Sequence, residues 1–243
     1  MFFNRKHRLT KLCDRVSLRM LEKAAMDDSS LMRAAFEEGT KRAGTSDSDR
    51  GWSAWMRDIE HPKRSTIVYL IVSLAAADFW KEANKITDNP DWGVSENPFK
   101  KTNSDVIVAE AMIFFWYNFF LFVRHAVKKK ELTQADVQAV STAGTTVGHV
   151  IQETTQWPIT EILGARMDEY EHCDATENPT EVFSRVVLRS IGKQAIDDTD
   201  RHLDPLNSLD YMPIIMQTTI HMTAKLPAYF EVYKNIVHHY PMD

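Results

Sequence analysis

The stretch over residues 106–123, VIVAEAMIFFWYNFFLFV, is the most apolar part of the chain, and it decides the fold class. Its apolar side chains cover every face of a helix, which indicates a helix surrounded by neighbouring helices or one that crosses a membrane. Glu110 and Asn118 lie inside the stretch, and an acid near the bilayer centre opposes insertion by about 2.5–3.5 kcal/mol. We therefore predict the buried central helix of a helical protein.

A membrane-spanning helix is the alternative for this stretch. Its 18 residues are near the lower limit of length for crossing a bilayer. Arg124, His125 and the lysine run over 128–130 follow it, as the cytoplasmic flank of a spanning helix would. The length of the stretch and the basic residues that follow it both leave a membrane-spanning helix as an alternative.

Apolar residues recur at helical steps through most of the chain, and no segment shows a convincing β-hairpin pattern. We predict an all-α fold: a compact multi-helix bundle of about eight to ten helices, without significant β-sheet. Helices over 105–129 and 134–157 are expected in its core. Residues 1–243 form a single helical domain in this interpretation, with a possible boundary in the long loop over 87–104.

Polar residues at the predicted helix starts set the expected boundaries. Ser29 or Ser30 is expected to cap a helix that runs to about residue 41, and Ser65 to cap a helix over 66–86. Thr133, with Asp136 three residues later, resembles a capping box. Further predicted boundaries are the caps at Ser104 and Thr160 and a kink or restart at Pro227.

Glycine and proline are scarce, since the 243 residues include 8 Gly and 9 Pro. This scarcity argues against a sandwich or barrel, which needs a turn about every 8–12 residues. The chain contains no glycine-rich phosphate loop, so nucleotide binding through such a loop is close to excluded. Cys13 and Cys173 form no C-x-x-C, and no secretory signal is visible, so we expect a cytoplasmic protein with ordinary thiols.

Four glycines fall inside predicted helices: Gly144, Gly148, Gly164 and Gly192. Each costs about 0.5–1 kcal/mol relative to alanine in a helix. Close approach of a neighbouring helix is the expected compensation. We therefore predict the tightest packing between residues 144 and 164.

Charge is unevenly distributed along the chain. The net charge of −5 argues against nucleic acid as a partner. Residues 1–23, however, contain seven Lys or Arg and two acids. We expect this basic helix to pack on the acidic remainder of the chain, while residues 1–24 could instead bind an anionic membrane surface or an acidic protein.

Four residues form a candidate metal site: Glu110, Glu153, Glu169 and His172. Glu169 and His172 are three residues apart and share a helix face, and Glu-x-x-His is the ligand motif of ferritin-like di-iron and di-manganese bundles. Glu110, together with Asp78 or Glu153, could supply the bridging carboxylates. The motif's second copy, DIEH over 58–61, is degenerate. The leading expectation is no cofactor, and iron or manganese is the alternative.

A simpler interpretation covers the same acids. Asp78 and Glu110 have apolar neighbours, where a carboxylate must be paired, protonated or metal-bound. We expect each to make one buried ion pair or hydrogen bond that fixes helix register. The candidate partners are Arg124, His125, His149 and several lysines. Glu169 lies in a charged run over 166–171 that we expect to be solvated, and the His149–Glu153 pair is expected to support its own helix.

The absence of a complete catalytic constellation in the sequence favours a soluble, non-catalytic interaction or regulatory protein. Methionines and aromatic side chains, 11 and 25 in number, are available for packing or partner contact. The alternatives are a ferritin-like metalloenzyme and a protein that associates peripherally with membranes.

Overall fold

The computed structural model describes residues 29–43, 63–87, 104–171, 182–184, 186–187 and 216–239. Every regular element within these ranges is helical and none is a strand, so the all-α prediction is confirmed for this part of the chain. Residues 182–184, 186–187 and 216–220 are helical as well. The named elements are α1 (Ser30–Ala43), α2 (Arg64–Thr87), α3 (Ser104–Lys128), α4 (Gln134–Thr155), α5 (Ile159–Glu171), a π-helical turn (His221–Lys225) and α6 (Leu226–His239).

Helix α3 lies at the centre of the described core. It packs against α2 and α4, which also pack against each other, and α1 contacts all three. Phe114, Phe115 and Phe119 are fully buried, and Phe114 stacks on Phe183 with their ring centroids 4.3 Å apart. Because burying one such side chain contributes about 1.5–3 kcal/mol, α3 supplies much of the apolar driving force for folding.

By length and composition, α3 is also the one helix among the described residues that could cross a membrane. Of its most apolar window, 78% is buried inside the structure. Asn118, one of its internal polar residues, is satisfied within the helix because its side-chain amide donates to the Phe114 carbonyl at 2.9 Å. A single helix of this kind is weak evidence for a span, since core helices of soluble proteins pass the same test.

Two of the predicted helix starts are confirmed. The Ser29 hydroxyl accepts a hydrogen bond from the Met32 amide at 3.1 Å, as a cap of α1 does. At α4, Asp136 accepts from the backbone amide of Thr133 at 2.8 Å, which is the reciprocal bond of a capping box.

Two other predicted caps are wrong. Ser65 lies inside α2, which begins at Arg64, where the guanidinium is anchored to Asp136 at 2.6 Å. Thr160 lies inside α5, which begins at Ile159. In both places the first-turn amides bond to earlier carbonyls, those of Lys63 and Pro158, so each helix begins before the predicted cap.

The glycines predicted to allow close packing differ from one another. At Gly144, an added Cβ would lie 2.4 Å from the indole of Trp116, whose ring nitrogen donates to the Val140 carbonyl at 2.9 Å. At Gly148, an added Cβ would make ordinary contact with Ile159 at 3.4 Å. Gly164 has open space around it, so the prediction is wrong there. Gly192 lies outside the described residues.

The π-helical turn has a local cause at Pro227. Proline lacks an amide hydrogen, and its ring obstructs the carbonyl four residues earlier. The Leu226 amide accordingly bonds five residues back, to the His221 carbonyl. The helical path continues from this turn directly into α6, whose second residue is Pro227, and the wider turn contacts α2.

Candidate functional site

Glu110 of α3 is 1% exposed and forms a bidentate ion pair with Arg166 of α5. The guanidinium Nε donates to Oε2 at 2.9 Å, and Nη2 donates to Oε1 at 2.7 Å. The predicted buried ion pair at Glu110 is therefore confirmed. The partner of Glu110 is not one of the candidates proposed from the sequence. Helix α5 packs against α3, and this contact places Arg166 beside Glu110.

Arg166 connects two of the residues that the sequence assigns to a metal site. Its Nη1 donates to Glu169 Oε1 at 3.2 Å, so the carboxylates of Glu110 and Glu169 flank one guanidinium. Burial alone would lower the pKa of Arg166, but hydrogen bonds and the charges of Glu110 and Glu169 raise it above its usual value. The side chain of Arg166 is 16% exposed, so the expectation of a solvated charged run is wrong for Arg166, whereas Asp168 and Glu171 are exposed as expected.

Glu153 lies apart from this pair. Its side chain is 66% exposed and lies 3.2 Å from the imidazole of His149, as expected for simple helix support. It borders a groove of about 220 Å³ between α1 and α4 that Glu37 and Glu38 also line. His172 lies outside the described residues, and within the described ranges no three His, Cys, Asp or Glu side chains meet as a metal site would require. The metal assignment stays a prediction.

Asp136 joins three helices, a role that the sequence did not indicate beyond the capping box. Its Oδ1 accepts from Arg64 of α2 at 2.6 Å and from the Tyr233 hydroxyl of α6 at 2.8 Å. Burial would raise the pKa of Asp136, but the bonds from Thr133, Arg64 and Tyr233 lower it. Burial and the neighbouring carboxylate raise the pKa of Tyr233, so its hydroxyl stays protonated as a donor.

Asp105 has a similar connecting role at the other end of the core. Its Oδ1 accepts from the Ser29 hydroxyl at 2.8 Å and from the Leu31 amide at 2.9 Å. Both donors belong to the start of α1, where free amides and the helix dipole favour a negative charge. Asp105 thus fixes α1 to the first turn of α3.

Asp78 of α2 is paired with the π-helical turn and α6. Its Oδ2 accepts from the Tyr229 hydroxyl at 2.7 Å and lies 3.5 Å from the Lys225 ammonium. A partner for Asp78 is therefore confirmed, in the form of a lysine and a tyrosine, but the predicted burial is not, because the Asp78 side chain is 26% exposed. Burial and the nearby carboxylate raise the pKa of Tyr229, which keeps it a hydrogen-bond donor.

His221 lies in the π-helical turn and is fully buried. The sequence analysis did not predict this burial. Its Nδ1 lies 3.1 Å from the Gln217 carbonyl, and its Nε2 has no partner among the described residues. The ring packs against Phe79 and Phe115, with centroid distances of 6.1 and 5.3 Å. Burial, and then the charge of Lys225, lower the pKa of His221 to about 4, so the imidazole is neutral at pH 7.

The C-terminal end of α3 carries an exposed basic surface, which we call the basic end of α3. Its members are Leu121, Arg124, His125, Lys128, Lys129 and Lys130, all exposed. Beneath it, Phe120 stacks on Trp116 with centroids 6.2 Å apart, and the Arg124 guanidinium lies 5.5 Å above the Phe120 ring. The aromatic pair therefore gives this basic surface a rigid support.

Comparison of the chain with protein-family models, with curated proteins and with solved structures found no match in any of the three. Its function is therefore inferred from its own residues. The buried carboxylates of Glu110, Asp136 and Asp105 bind guanidinium, hydroxyl and amide donors of other helices. Such contacts hold helices in register.

Proposed function

We propose that this chain is a non-catalytic interaction or regulatory protein of the cytoplasm, built as one compact helical bundle. In this proposal the bundle extends over residues 1–243 with about eight to ten helices, and it needs no cofactor. It recognises another macromolecule through exposed helix faces and does not bind nucleic acid.

The proposal rests on the contacts of two buried acids, Glu110 and Asp136. Glu110 is bound bidentately by Arg166, and Asp136 is bound by Arg64 and Tyr233. A catalytic carboxylate needs room for substrate or a proton-transfer partner within reach. These carboxylates have their lone pairs directed at donors on neighbouring helices, which supports a structural role for them and leaves the surface for recognition.

The ferritin-like metalloenzyme is less well supported by the same contacts. Arg166 lies between Glu110 and Glu169, and its positive charge takes the place that a divalent cation would need between these carboxylates. Glu153, the third proposed ligand, is largely exposed and pairs with His149.

Metal content separates the two functions. We expect the purified full chain to contain iron and manganese far below one ion per chain by elemental analysis. We also expect the same melting temperature with and without a chelator. About two ions per chain would overturn the proposal, provided that Glu110→Gln releases them and the exposed substitution Glu37→Gln does not.

The interaction itself is tested in the source cells. Crosslinking through exposed lysines is expected to link the chain to a defined protein. A chain that turns over a small molecule, and loses that activity in Glu110→Gln while keeping its melting temperature, would contradict the non-catalytic role.

A further inference from the structure

The basic end of α3 combines charge and one apolar side chain on a single stripe. Leu121, Arg124, His125 and Lys128 are spaced at i, i+3, i+4 and i+7, so they share one helix face, and all four are exposed. Leu121 is 38% exposed, and it is one of two large hydrophobic side chains exposed among the described residues. The stripe continues into Lys129 and Lys130 at the turn before α4.

The charge of this surface is not used by the described fold. Lys128, Lys129 and Lys130 form no ion pair with any described residue, whereas Lys234 nearby binds both Glu131 and Glu231. Four Lys or Arg side chains are therefore concentrated at one end of a protein whose net charge is −5. Among the described residues, nothing supplies the complementary negative charge for these side chains.

Lys130 also occupies a backbone position that favours glycine. Its φ is 61°, in the left-handed region. Its amide bonds to the Val127 carbonyl at 3.0 Å, and the Glu131 amide bonds to the Ala126 carbonyl at 2.9 Å, which is the Schellman pattern. Glycine usually takes this position because a side chain is strained there. A lysine here extends the charged run at the expense of local stability.

We propose that the basic end of α3 docks the protein on an anionic lipid surface, with Leu121 entering the interface and Arg124 and Lys128–Lys130 facing the lipid headgroups. Three adjacent lysines at an exposed helix end fit a diffuse negative surface, since an ammonium acts as a point charge without the fork geometry that binds a single carboxylate. Trp116 and Phe120, one helical turn apart on α3, are only partly buried and leave some apolar surface beside the stripe. This inference goes beyond the proposed function and does not depend on it.

Cosedimentation of the full chain with lipid vesicles tests the docking. The chain is expected to bind vesicles of phosphatidylcholine with about one third phosphatidylserine, and to bind pure phosphatidylcholine vesicles far more weakly. Added salt should weaken the binding, because it screens exposed charges.

The triple variant Lys128→Gln, Lys129→Gln and Lys130→Gln locates the surface. Each lysine contributes roughly fivefold to partition on an anionic membrane, so the variant should bind about 100-fold more weakly. The matched control replaces the exposed Lys41, Lys63 and Lys81 by Gln, which gives the same net charge and should leave binding within about twofold. Equal losses in both variants would show a net-charge effect and overturn the proposal.

Two single variants separate charge from backbone strain. Lys130→Gly should raise the melting temperature and weaken vesicle binding roughly fivefold. Gln156→Gly relieves the same left-handed strain at the end of α4, where φ is 60°, and should raise the melting temperature without changing vesicle binding.

Several results would overturn the proposal. One is a folded chain that fails to bind anionic vesicles, which would leave an acidic protein as the partner of this surface. Another is unchanged binding of the Lys128–Lys130 variant, with loss of binding when Lys6, Lys11 and Lys23 are replaced by Gln instead. Neither result bears on metal content, so the proposed non-catalytic function is tested separately.

Discussion

Gly144 allows the indole of Trp116 to lie directly against α4. A Cβ at this position would come within 2.4 Å of the indole carbon Cε2, far closer than two carbon atoms can approach. We predict that Gly144→Ala destabilises the protein by about 1–3 kcal/mol, because Trp116 must shift and its bond to the Val140 carbonyl is stretched. Chemical denaturation monitored by circular dichroism measures the change.

Gly164 provides the matched control on the neighbouring helix. An added Cβ there meets nothing within 4 Å, so Gly164→Ala should gain the helix propensity of alanine, about 0.5–1 kcal/mol. If both substitutions changed the free energy of unfolding by similar amounts, the contact between Trp116 and α4 would have no energetic weight.

The sequence could place glycines inside helices but could not distinguish among them. Gly144 and Gly164 have the same helical surroundings in the sequence, and both suggest close packing. Only the position of Trp116, on α3 and 28 residues earlier in the chain, makes Gly144 necessary. Steric requirements of this kind depend on which helix faces which.

At the scale of helices, the ion pair of Glu110 and Arg166 holds α5 to the centre of the core. Removing one member of a buried pair leaves an uncompensated charge, whereas replacing both by apolar side chains is often nearly neutral. We predict that Arg166→Met costs about 3–5 kcal/mol and that the double variant Glu110→Leu, Arg166→Met recovers most of this loss. Urea unfolding of both variants gives the two values.

The exposed pair of His149 and Glu153 is the control for that experiment. Because both side chains are more than half exposed, Glu153→Gln should change the free energy of unfolding by less than about 0.5 kcal/mol. If Arg166→Met lowered the free energy of unfolding as little as Glu153→Gln does, the ion pair would not hold α5 to α3.

Helix existence was predictable from the sequence, while helix partners were not. The predicted core helices over 105–129 and 134–157 match α3 and α4 to within about two residues. The burial of Glu110 was also predictable, because its neighbours in the helix are apolar. Asp78 has similar neighbours, but its side chain stays 26% exposed. The identity of Arg166 as partner was not predictable, because 56 residues separate it from Glu110 and it lies among charged residues.

For the whole described part of the chain, buried or partly buried acids connect helices that are distant in sequence. Asp105 joins α3 to α1, and Asp136 joins α4 to α2 and α6. Asp78 joins α2 to the π-helical turn and α6. We expect each contact to favour one arrangement of apolar helices that could otherwise pack in several ways, since fixing register is the best-attested use of buried polar groups.

His221 makes the same core sensitive to acid. Its pKa is about 4 in the folded protein because of burial and the charge of Lys225, although Asp78 and Glu82 oppose this shift. In the unfolded chain a histidine titrates near its ordinary value of about 6.5. Between these two values the unfolded state binds more protons than the folded state, so stability falls as the pH falls.

We predict that the free energy of unfolding is lowered by about 3 kcal/mol between pH 6.5 and pH 4 as a result of His221 alone. Urea unfolding at a series of pH values measures this slope. His221→Gln removes the titrating group. The free energy of unfolding of this variant should therefore change much less between pH 6.5 and pH 4, regardless of how stable the variant is at pH 7. His149→Gln, which changes an exposed histidine, should keep the wild-type slope. The same slope in wild type and His221→Gln would contradict the neutral, buried imidazole, because the acid sensitivity would then come from other groups.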